Sequence, residues 1–208
     1  MKRIFLLLTL SFVIGLTCTV LAAFDPFAPK NQVTLWLKNT TDPELASSFL
    51  RQAGFLAAFG DIKGKALLTN RDILTQKELE AIEDFMVKGG KVIFLGTKNL
   101  PQLTFLGLQT FSQPTYLEIA FPLAYTPQML EFPNCTVSLF AFADQDQPLA
   151  SYYNSDGVTF SHIEPLNSSV VKTSWGLYFG FDWLEKIFLE KPTYQKLLLL
   201  WLRQAIWN

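Results

Sequence analysis

The sequence predicts an α/β fold, in which a mostly parallel sheet is flanked by helices and extended by antiparallel strands in its second half. Three observations indicate this. Short apolar runs alternate with helical patterns before residue 97, as in βαβ units. A capped helical pattern is followed there by Gly-Gly and another apolar run. The second half has short, proline-punctuated segments rich in Phe, Tyr, Thr and Val.

The first third of the predicted domain contains three strands and a helix. The apolar run 33–37 predicts a buried strand. Thr41-Asp42-Pro43-Glu44 predicts a helix start, because a capping residue precedes proline in the first turn and an acid lies near the positive end of the helix dipole. Gly54 predicts the helix end. Further apolar runs predict strands at 55–59 and 65–69.

The next unit has the clearest pattern. Thr75 and Glu78 have the spacing of a capping box, in which each side chain bonds a free amide of the first helical turn. An apolar stripe and then Gly89-Gly90 predict the body and the end of this helix, and 91–96 predicts the next strand. Strand, helix and strand therefore form a βαβ unit with a right-handed crossover.

The remaining segments predict an antiparallel extension and a closing helix. We expect strands at 136–142, 149–153, 158–162, 170–173 and 176–182, then a helix at 193–207. The sequence has no internal repeat or second linker, so we expect a single α/β domain over residues 24–208.

Residues 1–23 have the order of a signal peptide: a basic start, an apolar stretch, and small residues ending at Ala22-Ala23. We therefore expect export to a periplasmic or extracellular location. The alternative is an uncleaved membrane anchor, because residues 4–23 are about long enough to span a bilayer. Apart from such an anchor, we expect no contact with a membrane.

The composition excludes several functions. The 208 residues include 17 Lys and Arg and 18 Asp and Glu, which gives a net charge of −1. This composition does not indicate the basic surface that nucleic-acid binding requires. One His and two Cys do not form a Cys/His zinc site. Asp144-Gln-Asp146 indicates a polar turn rather than a calcium loop, and no phosphate-binding glycine loop is present. We expect no metal and no cofactor.

The stretch 74–96 runs from Leu-Thr-Gln-Lys-Glu-Leu to Phe-Met-Val-Lys-Gly-Gly-Lys-Val-Ile-Phe-Leu-Gly. It resembles the class I glutamine amidotransferase-like superfamily, especially its non-catalytic branch of ThuA-like proteins and β-galactosidase trimerisation domains. The later Trp-Gly-Leu-Tyr-Phe-Gly-Phe-Asp at 175–182 and the apolar 197–201 are similar to that family's ending. The resemblance covers most of residues 33–207 and implies a flavodoxin-like sheet.

In catalytic members of that family, a cysteine nucleophile follows the strand that corresponds here to 92–95. This chain has Gly96 at that turn, with no Cys, Ser or His beside it. His162-Ile-Glu164 looks like the family's His-x-Glu. Together with Cys135 it supplies the three residue types of a Cys-His-Glu catalytic triad. However, no helix follows Cys135 to lower its pKa. A structural or vestigial role is the expectation for these weak catalytic candidates.

Other candidates concern binding. Asp182 ends an apolar strand, where open α/β sheets place ligands, although the resemblance implies that an Asp in this position more often anchors the following loop. Tyr178 and Trp183 are weak candidates for sugar stacking, because aromatic residues at strand spacing are more often in the core. In the last helix, the side chains of Leu199, Leu200 and Ile206 lie off the main apolar stripe. These three predict an interface with a second subunit or a partner chain; the alternative is that the domain encloses the helix on both faces.

The function expected from these features is an exported, non-enzymatic binding or assembly component of a cell-envelope or secreted system. Its partners are then an envelope protein or a second copy, with carbohydrate as a further possibility. The alternative is a hydrolase acting on carbohydrate or another small molecule through carboxylates at the rim formed by the carboxyl ends of the strands.

Overall fold

The computed structural model describes residues 31–96, 108–112, 116–119, 128–133, 135–141, 147–153 and 167–207. The helices are α1 (Pro43–Gln52), α2 (Gln76–Val87), α3 (Lys186–Leu189) and α4 (Pro192–Trp207). The strands are β1 (Gln32–Trp36), β2 (Leu56–Phe59), β3 (Ala66–Thr69), β4 (Lys91–Leu95), β5 (Leu108–Ser112), β6 (Tyr116–Ile119), β7 (Gln128–Glu131), β8 (Thr136–Ala141), β9 (Gln147–Tyr153), β10 (Asn167–Ser168), β11 (Val170–Thr173) and β12 (Gly176–Phe179).

A mixed sheet organises the fold. Its strand order is β2-β1-β3-β4-β12-β11-β9-β6-β7, and a smaller sheet has the order β10-β8-β5. The pairs from β2 to β12 are parallel, whereas those from β12 to β7 are antiparallel. The predicted α/β fold with an antiparallel extension is therefore confirmed. The parallel part has the flavodoxin-like order 2-1-3-4-5.

The two helices between parallel strands begin as the sequence predicts. The Asp42 carboxylate accepts hydrogen bonds from the amides of Glu44 and Leu45, with Pro43 at the first helical position. The Thr75–Glu78 capping box is formed in full at the start of α2. Both helices place the following strand parallel to the one before, as βαβ units do.

Helices cover both faces of the parallel strands. One core cluster contains Phe49 of α1, Phe188 of α3 and Trp201 of α4 with the apolar side chains of one sheet face. The other contains Ile82 of α2 with Trp36 and the opposite sheet face. Two-sided burial explains why β1, β3 and β4 are almost continuously apolar.

The last helix differs in part from expectation. Leu198, Trp201 and Leu202 are buried as predicted. Ile206, expected to face away from the domain, is only 6% exposed and belongs to the core, so that expectation is wrong. Leu199 packs partly against the core, and Leu200 is 41% exposed. Within the part of the chain that the structure describes, no helix combines the length and apolarity needed to cross a membrane.

Candidate functional site

The carboxyl ends of the parallel strands bring four residues together at one rim. Lys38 follows β1, Asn70 follows β3, Gly96 follows β4, and Asp182 follows β12. β2 is added on one side of β1, and β3 and β4 are added on the other, so the strand order reverses between β1 and β3. Open α/β sheets form their ligand crevice at such a reversal. The rim is therefore the expected position of a ligand-binding or active site.

The Asp182 carboxylate is fully engaged at this rim. Its Oδ2 accepts hydrogen bonds from Lys38 Nζ at 2.7 Å and from Asn70 Nδ2 at 2.8 Å. Its Oδ1 accepts from the Leu184 amide at 3.1 Å. The residue is 9% exposed, so these bonds replace most of its contact with water. The predicted site residue is thus an anchor between loops.

Asn70, which the sequence analysis did not single out, links the same loops. Its Nδ2 also donates to Thr41 Oγ1 at 2.6 Å, and its Oδ1 accepts from the Lys38 amide at 2.9 Å. Asn70 is 1% exposed. An asparagine directly after an apolar strand was the only sequence signal available, and nothing in the pattern indicated which charges it would meet.

The charges at the rim shift one another's pKa. Burial alone would lower the pKa of the Lys38 ammonium, but its hydrogen bond to Asp182 and the charges of Asp182 and Glu185 raise it. The pKa of the Glu185 carboxyl is raised by burial and by the charge of Asp182, with Lys38 partly opposing them. Lys38 therefore stays charged at physiological pH, and its ammonium lies 2.7 Å from Asp182 Oδ2.

Gly96 occupies the turn that follows β4, where the sequence resemblance led us to expect a nucleophile in a catalytic protein. Its φ is +59°, in the left-handed region that glycine adopts readily. A Cβ placed here would lie 3.1 Å from the Asp182 amide nitrogen and 3.3 Å from the Phe181 carbonyl carbon. A side chain at this position would therefore lie tightly against the loop that carries Asp182.

Cys135 is half-buried near the same acids. Burial, and then the negative charges of Glu185 and Asp182, raise the pKa of its thiol to about 12. A thiol with this pKa is almost entirely protonated at neutral pH, and the thiolate is the nucleophile. His162 and Glu164 lie outside the described residues, so the triad with Cys135 stays a prediction.

Tyr178 and Trp183 do not line a binding surface. Both are fully buried. The Trp183 ring packs 5.2 Å from the Phe49 ring and 6.0 Å from the Phe179 ring, measured between centroids. Neither residue presents a ring face to a ligand; both lie in the core, the placement that was favoured over sugar stacking.

An open groove of about 910 Å³ lies beside the rim. It runs over the end of β1 and along one side of α2. Its lining combines apolar, aromatic and charged side chains, and includes Trp36, Leu37, Phe59, Ile62, Arg71, Lys77, Ala81 and Phe85. Its volume lies within the usual range for binding sites in proteins.

The groove has a rigid inner wall. The Arg71 guanidinium lies 5.8 Å from the centre of the Trp36 ring, forms an ion pair with Glu78, and donates from Nε to the Leu37 carbonyl at 3.3 Å. Trp36 donates from Nε1 to the Gly60 carbonyl at 2.7 Å. These bonds fix the wall before any partner binds, which reduces the entropy lost on binding.

Charges at the groove mouth remain available to a partner. Lys77 and Asp61 are exposed and line the groove, and within the described ranges neither forms an ion pair. The described residues also hold no cluster of three His, Cys, Asp or Glu side chains able to bind a metal. The groove is thus suited to recognition by shape and charge.

Comparison with known proteins supports the fold. No family model and no curated protein sequence matches the chain. Among solved structures, α-L-fucosidase isoenzyme 2 from Paenibacillus thiaminolyticus is similar, with 14% identity and a TM-score of 0.61, over 84% of this chain and 32% of that one. This chain thus corresponds to about a third of the fucosidase.

Two further solved structures are similar at lower scores. The carbohydrate deacetylase Agd3 has 10% identity and a TM-score of 0.49, over 72% of this chain and 29% of its own. SMU.1228c has 8% identity and a TM-score of 0.44, over 81% of each chain. The likeness to the fucosidase agrees with a flavodoxin-like α/β fold.

Proposed function

We propose that this protein is an exported, non-enzymatic binding or assembly component of an envelope or secreted system, and that its groove binds a segment of a partner protein. The observation that carries the proposal is the mutual pairing of Lys38, Asn70 and Asp182 at the rim, beside an open groove. Open α/β folds place their ligand and active sites at this rim. Here Lys38, Asn70 and Asp182 are joined to one another by an ion pair and a hydrogen bond. The adjoining groove is lined by apolar and charged side chains that a partner can contact.

The nucleophile position supports a non-enzymatic role. Gly96 has no side chain, and the backbone of the Asp182 loop occupies the adjacent space. Cys135, the described cysteine near this rim, has a thiol pKa raised to about 12. An amidotransferase activates its cysteine in the opposite way, through a neighbouring base or a lowered pKa.

The proposed partner is a short protein segment with apolar side chains and charges of both signs. Phe59 is 54% exposed and offers an apolar surface at one wall of the groove. Lys77 and Asp61 offer one cation and one anion at its mouth. A protein segment can match all three features, whereas a neutral sugar leaves the charges unmatched. Export is proposed from the signal-peptide pattern of residues 1–23.

One observation favours the alternative, a hydrolase using rim carboxylates. Glu185 lies 3.9 Å from the Lys38 ammonium, and its carboxyl pKa is raised, as a general acid requires. The second carboxylate, Asp182, is held by Lys38 and Asn70 and is almost fully buried. Substrate access to Asp182 would require these bonds to break, and we therefore favour the binding role.

The experiment is affinity capture from an envelope extract of the source cells, with captured proteins identified by mass spectrometry. Ala81→Arg puts a long side chain into the groove from the exposed side of α2. The matched control is Val87→Arg, which adds the same residue and charge to the same helix at an 87% exposed position outside the groove. We expect one defined partner to bind wild type and Val87→Arg but not Ala81→Arg.

Two results would overturn the proposal. Equal capture by all three proteins would show that the groove is not the binding site. Turnover of aryl glycosides or glutamine by wild type, abolished in a folded Glu185→Gln variant, would establish the hydrolase instead. Circular dichroism of each variant verifies that the fold is intact.

A further inference from the structure

The outer side of β2 is an open edge of the large sheet. β2 is the first strand in the sheet order, and it pairs in parallel with β1 from Gln32↔Leu56 to Leu35↔Phe59 without a bulge. No strand pairs with its other side within the residues that the structure describes. An edge of this kind offers free amides and carbonyls to another chain.

β2 lacks most of the features that protect sheet edges in soluble proteins. Its sequence is Leu-Ala-Ala-Phe, with no charge, no proline and no bulge. Leu56 and Phe59 are each 54% exposed. Because they are three residues apart in a strand, they project on opposite faces of the sheet. An added strand would therefore cover apolar surface on both faces.

The hydrogen bonds to β1 define which groups of β2 point outward. The Leu56 amide donates to the Asn31 carbonyl at 2.9 Å, so residue 56 is bonded inward. In a parallel ladder the inward-bonded residues alternate, and residue 58 is bonded inward as well. Ala57 and Phe59 therefore direct both their amides and their carbonyls away from β1.

We propose that β2 pairs antiparallel with β2 of a second copy of this chain, about a two-fold axis at Ala58. In this register, Ala57 of each copy exchanges two hydrogen bonds with Phe59 of the other, giving four bonds in total. The register uses all outward groups of both strands. It also places each Phe59 ring opposite the small side chain of Ala57, where there is room for it.

The charges flanking β2 favour a second copy as the partner. Arg51, in the last turn of α1, precedes the strand, and Asp61 follows it; both are exposed. An antiparallel two-fold brings the start of one β2 to the end of the other. Arg51 of each copy then lies at the same end of the paired strands as Asp61 of the other, so opposite charges are brought to each end of the interface. Because β2 has only four residues, the dimer is weak, and the dimeric fraction increases with protein concentration.

Sedimentation velocity over a hundredfold range of concentration tests this proposal, using the protein in the form that the cells accumulate. We expect a monomer–dimer equilibrium for wild type. Ala57→Pro removes an outward amide without touching the bonds to β1, and it should leave only monomer. The matched control is Ala57→Thr, which keeps the amide and should dimerise as wild type does.

A charge swap keeps the test decisive if the proline variant fails to fold. Asp61→Arg should reduce dimerisation at least tenfold in association constant, and Arg51→Asp combined with Asp61→Arg should restore it. Wild type that remains monomeric throughout, as expected if the edge receives a strand from another protein, would overturn the proposal. A dimer unaffected by Ala57→Pro and by Asp61→Arg would also overturn it. Ala57 does not line the groove, so the Ala57→Pro comparison is independent of partner capture, whereas Asp61 lines the groove and its variants are read only by sedimentation.

Discussion

Replacing Asp182 by alanine should destabilise the fold, because the carboxylate is the common acceptor for three segments. The change removes hydrogen bonds from Lys38 Nζ, Asn70 Nδ2 and the Leu184 amide. Asn70, at 1% exposure, loses one of its acceptors in a site with little access to water. The Lys38 side chain is 28% exposed and can turn partly toward solvent.

The expected loss follows from these contacts. A hydrogen bond to a charged group contributes about 1.5–3 kcal/mol, and removing one partner of a fully buried ion pair costs about 3–5 kcal/mol. Partial exposure of Lys38 reduces the second figure. We therefore expect Asp182→Ala to lower the free energy of unfolding by about 3 kcal/mol.

Urea unfolding followed by tryptophan fluorescence measures this loss, since Trp183 is adjacent in sequence and fully buried. Asp61→Ala is the control, because Asp61 is exposed and an exposed acid should change stability by less than about 0.5 kcal/mol. A loss below about 1 kcal/mol for Asp182→Ala would refute the anchoring role. Asp182 would then be a candidate for chemistry again.

Three further predictions concern other parts of the chain. Gly96→Ala should destabilise more than Gly60→Ala in the same unfolding assay, because both residues have positive φ but only the Gly96 Cβ would meet backbone atoms within 4 Å. Native Cys135 should be alkylated by iodoacetamide roughly 30-fold more slowly at pH 8 than in the unfolded chain, with a rate still rising above pH 9, because its thiol pKa is about 12. Peptide mass spectrometry measures this rate, and equal rates would contradict the buried thiol. Edman sequencing of protein from an envelope fraction should begin at Ala23 or Phe24, whereas a start at Met1 would indicate an anchor.

The first half of the fold was predictable because its signals are local. The Thr75–Glu78 capping box and the proline at the start of α1 specify helix starts through bonds within a single turn. The apolar run of β4 reflects burial on both faces of a sheet. Strands β5, β6 and β7 were not predicted. β5 pairs with β8 and β6 with β9, which are distant in sequence, and among the described strands β7 pairs only with β6.

The site was less predictable, because it depends on long-range contacts. Asp182 was singled out by its place after a strand, but its bond to Asn70 joins residues 112 positions apart. Trp183 was kept as a weak candidate for sugar stacking, although the core was favoured, because composition does not distinguish a core aromatic from an exposed one. Ile206 was assigned to an outer face by helical spacing alone, which does not show that the end of α4 lies against the end of α1, where Arg203 Nε donates to the Ala53 carbonyl.

The most direct test of the account is the equilibrium affinity of the captured partner for two variants, measured by titration calorimetry. Cys135→Ser combined with Glu185→Gln removes the rim's candidate nucleophile and candidate acid, and Ala81→Arg obstructs the groove. The account predicts an unchanged dissociation constant for the rim variant and at least a tenfold weaker one for the groove variant. The reverse pattern would contradict it, because the partner would then depend on the rim rather than on the groove.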